Sequence, residues 1–102
     1  DSLPAVLSEG GMGFFSEEMV EAAVKEVGEI HQEMLAAEME GDYFAVREKA
    51  HYLSNTAMAL GIKVLYVDSK ALQKAADEEE MDDVKRLLPR LKDNFEEWRR
   101  TS

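Results

Sequence analysis

The chain of 102 residues has no cysteine. That excludes disulfides, thiolate metal sites and thiol nucleophiles. Punctuation is sparse: there are two prolines and six glycines, and no glycine follows Gly61. Uninterrupted apolar runs are only a few residues long, too short to span a bilayer. No stretch joins a charged start to an apolar middle, so none reads as a signal peptide. No useful length alternates with period two, so no sheet is expected. Basic residues are also scarce. Twelve Lys and Arg face 22 Asp and Glu, for a net charge of -10. This balance argues against nucleic acid, where neutralising phosphates supplies much of the affinity. It equally disfavours an anionic membrane surface. The expectation is one cytoplasmic domain, large enough to bury a core without covalent staples.

What the sequence does have is helical periodicity. Residues 1–15 read as an N-terminal segment, with an apolar stretch from Leu3 to Leu7 and a turn at Gly10, Gly11 and Gly13. The bundle proper is expected over 16–102. Ser16 is placed as an N-cap, with Glu17 and Glu18 favourable at the positive end of a helix. Ala23, Val24, Val27, Ile30 and Met34 then repeat at helical spacing, predicting a first helix from about residue 16 to about 40. Gly41 breaks it, and Asp42 caps a second helix with a stripe at Val46, Ala50, Leu53, Ala57 and Leu60. Gly61 interrupts. A third helix carries Ile62, Leu65, Tyr66, Leu72 and Ala76. The acidic run Asp77 to Asp83 ends it and opens a fourth, with Val84, Leu88, Leu91, Phe95 and Trp98. Pro89 lies inside the fourth helix and is expected to kink or break it. Four amphipathic helices with short links predict an all-α, antiparallel four-helix bundle.

Two residues invite a chemical reading, the histidines. Each residue turns a helix by about 100°. On the second helix, His51 then lies roughly 140° from the apolar stripe and faces outward. Phe44, Arg47, Asn55 and Met58 share its side, giving a mixed face with two large apolar groups and a cation. His31 instead falls within about 40° of the centre of the first helix's stripe, as expected of a boundary histidine bonded to a neighbour. Glu48 and His51 spell Glu-x-x-His, a ligand pair of di-iron bundles. That site needs the motif twice and inward-facing. His31 has Gly28 at the matching position, so no metal is expected.

The segment "AHYLSNTAMALG", Ala50 to Gly61, resembles the signature of histidine-containing phosphotransfer (HPt) domains of two-component phosphorelays. His51, Leu53, Thr56, Ala57, Leu60 and Gly61 fall on the pattern. "GDYFAVREKAH" before it and "RLKDNFEEW" in the last helix are similar to the family as well. The resemblance covers residues from about 17 to about 98. Two positions depart from it: Ser54 stands where the family carries a lysine that helps hold the phosphoryl group, and Asn55 where it carries a glycine that leaves room for it.

The resemblance implies that His51 accepts a phosphoryl group from the aspartyl phosphate of a receiver domain and passes it to another. A neutral imidazole is a good nucleophile near pH 7. Phosphoryl transfer asks mainly for alignment and charge stabilisation. The implied partners are receiver domains of response regulators or hybrid histidine kinases, which bring their own Mg²⁺, so no cofactor is expected in this chain. Arg47, Ser54 and Asn55 are the candidate phosphate environment, the first by charge and the others by hydrogen bonds. Phe44 and Met58 are the candidate docking surface. The competing expectations are an HPt-like module that docks receivers or a kinase with weak or no transfer, and a helical interaction domain without chemistry.

Overall fold

The computed structural model describes residues 16–101. The expected apolar stretch and glycine turn of 1–15 lie outside the described residues. Helix α1 spans Glu17–Met39 and starts where the Ser16 side chain accepts the Met19 amide. The Asp42 carboxylate accepts the Ala45 amide at 3.0 Å and starts α2, Tyr43–Leu60. Each cap satisfies an amide that the helix itself leaves without a partner. α2 ends at Gly61, whose φ of 71° is left-handed. From there the Ile62 amide reaches back to the Ala57 carbonyl at 2.9 Å. Glycine meets that conformation without a side-chain clash. Helix α3, Lys63–Asp77, follows at once, and α4 covers Met81–Thr101.

Short links force successive helices to reverse direction. The result is an all-α four-helix bundle with no strand among the described residues. Helices packed side by side are α1–α2, α2–α3, α3–α4 and α4–α1; α2–α3 is the closest pair and α4–α1 the loosest. The core holds Met34 from α1, Val46 and Leu53 from α2, Leu65 and Leu72 from α3, and Val84, Leu88 and Leu91 from α4. These are the stripes the periodicity picks out. Ile62, expected within α3, precedes it as a fully buried residue at the α2–α3 turn.

Pro89 does not break α4, which runs unbroken from Met81 to Thr101. The ring removes the amide that would bond the Lys85 carbonyl. Both Pro89 and Lys85 are exposed, so water can take that amide's place.

Candidate functional site

The middle of α2 is the candidate site, and its surroundings follow from how α2 is wedged between two neighbours. On one side, Lys49 pairs with Glu33 at 3.1 Å and the Tyr52 hydroxyl donates to Glu26 at 3.0 Å. That side faces α1. The Glu26 carboxylate raises the Tyr52 phenol above its ordinary pKa, through the hydrogen bond first and its charge second. On the other side, Arg47 reaches Asp77 of α3, with Nε 3.9 Å from the carboxylate. His51 lies about 40° around α2 from Arg47, so it leans toward α3 and away from the carboxylates of α1.

His51 is exposed. Its Nε2 stands 3.4 Å from the Asn55 side-chain nitrogen. In this contact the Asn55 amide donates and Nε2 accepts through its lone pair. The contact is long and therefore weak.

The other candidate residues are placed as follows. Phe44 is 67% exposed, one of the larger apolar side chains on the surface, whereas Met58 is half-buried. The Arg47 guanidinium lies over the Phe44 ring, 5.5 Å from its centroid. It also pairs with Glu48 at 3.0 Å. Its charge is thus already shared between two carboxylates and an aromatic face. Ser54 departs most from its expected place. It is only 2% exposed, and its hydroxyl donates to the His51 carbonyl at 2.7 Å. The side chain is turned to its own helix backbone rather than to the His51 face, because position 54 lies where α3 closes over α2.

His31 has another setting. It is 4% exposed, and its Nε2–H donates to the Leu88 carbonyl of α4 at 2.7 Å. It ties the loosest helix pair together, the boundary role expected of it. His51 and His31 stand on different helices with different neighbours. No group of three or more His, Cys, Asp or Glu able to hold a metal occurs among the described residues. No helix among them is long and apolar enough to cross a membrane.

Sequence reasoning missed a further polar group. Asp68 of α3 is buried, and its carboxylate accepts from the Asn94 side chain of α4 at 2.9 Å. Burial pushes this carboxyl above the usual aspartate range, while the Asn94 hydrogen bond and the Arg90 charge pull it back. Its position opposite the exposed face of α3 was the available signal.

Compared with known proteins, the chain matches no family model, no curated protein and no solved structure. What the site has in common with anything known therefore rests on its own residues: an exposed imidazole halfway along the second helix of a four-helix bundle.

Proposed function

We propose that this chain is a phosphorelay intermediate of the HPt kind, working in the cytoplasm, with His51 as the phosphoryl acceptor. The observation that supports it is the exposed His51 imidazole, on the side of α2 away from the acidic helix α1. In the transfer step the Nε2 lone pair attacks the phosphorus of a receiver's aspartyl phosphate. The N–P bond forms as the bond from phosphorus to the carboxylate oxygen breaks, and that electron pair stays on the aspartate. The reverse step hands the group to a second receiver. The receiver supplies the metal ion and the acidic pocket, so this chain contributes a nucleophile and a docking face rather than an autonomous enzyme's active site. Phe44 and half-buried Met58 supply apolar contact on that face. Partners are receiver domains of response regulators or hybrid histidine kinases, and the charge of -10 speaks against nucleic acid.

A second reading is favoured by two observations. Asn55 sits over Nε2, and Ser54 offers the face no hydroxyl. On this reading the module docks receivers or a kinase and transfers phosphate weakly or not at all. Incubation with a phosphorylated receiver separates the two. Transfer predicts an acid-labile, alkali-stable label that His51→Gln abolishes while the helical circular dichroism is unchanged. His31→Gln retains the label. A label that survives in the His51 variant contradicts the site.

A further inference from the structure

The cation that the HPt pattern places at position 54 is absent from α2, and Arg47 is committed to Glu48 and Asp77. We infer that Lys70 of α3 supplies it from across the α2–α3 seam, as the positive partner of a phosphoryl group on His51. This inference rests on the phosphotransfer reading above.

The register of the seam carries the argument. α2 and α3 are antiparallel and the most closely packed pair. Two anchors set their level. The turn residues Gly61 and Ile62 join them, and Arg47 meets Asp77 at the far end. Advancing seven residues from Arg47 along α2 leads to Ser54, and stepping back seven from Asp77 along α3 leads to Lys70. Both moves cover about 10.5 Å and return to within about 20° of the starting side. Lys70 therefore stands on the exposed side of α3, at the level of Ser54. By the same count His51 is level with Gln73.

Side-chain contacts agree with this register. The Lys70 ammonium donates to the Gln73 side-chain oxygen at 3.5 Å, which draws it along α3 toward the level of His51. Lys70 is exposed, so its charge is available to a ligand arriving on the His51 face. Burial of Ser54 fits the same picture. A long side chain at 54 would have to emerge through the seam that α3 closes, whereas Lys70 approaches the same level from outside it. The charge distribution adds to this. α3 carries Lys70 and Lys74 on its exposed surface, while Lys63 lines the groove toward α4 and Asp68 is buried on that side. α1 carries seven glutamates and one lysine. A dianionic phosphoryl group on His51 meets its most favourable field on the α3 side.

The test uses potassium phosphoramidate on the full chain, which labels an accessible histidine without any receiver. The imidazole Nε2 attacks phosphorus, the phosphoramidate P–N bond breaks, and the amine leaves as ammonia. Phospho-His51 is followed by ³¹P NMR and located by mass spectrometry, with His51→Gln as the blank. Lys70→Gln is expected to slow labelling, or to shorten the lifetime of phospho-His51, by about threefold to tenfold. Lys70→Arg keeps most of the wild-type value, and Lys74→Gln changes it less than about twofold. Helical circular dichroism accompanies each variant. Equal behaviour of wild type and Lys70→Gln overturns the assignment. So does an equal loss in Lys74→Gln, which would indicate a diffuse field rather than a contact, and so does a wild-type chain that phosphoramidate does not label at His51. A chain whose labelling depends on Lys70 but which accepts nothing from a phosphorylated receiver would keep this cation and lose the phosphorelay reading.

Discussion

At the scale of single residues, the Nε2 atoms of the two histidines meet opposite partners. His31 donates to a backbone carbonyl, so its Nε2 carries a proton and has no lone pair to offer. His51 receives the Asn55 amide, so its Nε2 keeps the lone pair but must shed that contact to attack phosphorus. A hydrogen bond as long as 3.4 Å is a small obstacle. Asn55→Ala is accordingly expected to raise the labelling rate of His51 by about two- to fivefold, measured with phosphoramidate. A rate that falls would mean that Asn55 positions the ring rather than covers it. Asp68 lends itself to a pH test. Its carboxyl is raised by burial, so the folded chain holds the proton more tightly than the unfolded chain. Ionisation therefore costs stability. The cost is absent below the ordinary aspartate range and complete above the raised value. Asp68→Asn keeps an acceptor for Asn94 and has no charge to bury. It is expected to be more stable than wild type at neutral pH by about 0.5 to 1 kcal/mol, with the difference vanishing in acid. Urea unfolding at the two pH values checks this; a variant less stable at neutral pH would show that the Arg90 attraction outweighs burial.

At the scale of elements, two of the three turns have the favoured residue and one does not. Gly41 and Gly61 meet their left-handed φ as glycine. Between α3 and α4 the left-handed residue is Glu79, with φ 55°, while the Glu80 amide bonds back to the Ala75 carbonyl at 2.9 Å. A non-glycine residue is strained there, and this one also stands among like charges. Glu79→Gly is expected to gain about 0.5 to 1 kcal/mol in urea unfolding, the relieved strain exceeding the added freedom of the unfolded chain. A loss would place the greater weight on that freedom. The helices themselves were legible in the sequence, because Ser16, Asp42 and Gly61 are local signals and each apolar stripe belongs to one helix. The fate of Pro89 was not legible. A proline breaks a helix or is tolerated according to which side faces water, and that side is settled by the packing of α4. Ser54 was misjudged for a related reason: its angle on α2 places it at the edge of the core stripe, and only α3 decides whether that edge is covered.

At the scale of the whole molecule, an acidic chain arranges its charge unevenly. Glu26 and Glu33 of α1 pair with one side of α2, and α3, toward which His51 leans, carries Lys70 and Lys74 on its exposed surface. The level of Lys70 against Ser54 depends on the register between two helices, which no pattern within one helix encodes. The outward direction of His51, by contrast, follows from the α2 stripe alone and was legible. The account as a whole stands on His51 as a phosphoryl acceptor. Its most direct test is to mix the full chain with a receiver domain carrying a phosphoryl group on its aspartate, quench in alkali, and follow the label with time. The account predicts label leaving the receiver and appearing on His51 alone, as an acid-labile phosphoramidate that a second, unlabelled receiver can discharge. A label that stays on the receiver, or decays to inorganic phosphate without ever reaching His51, contradicts it.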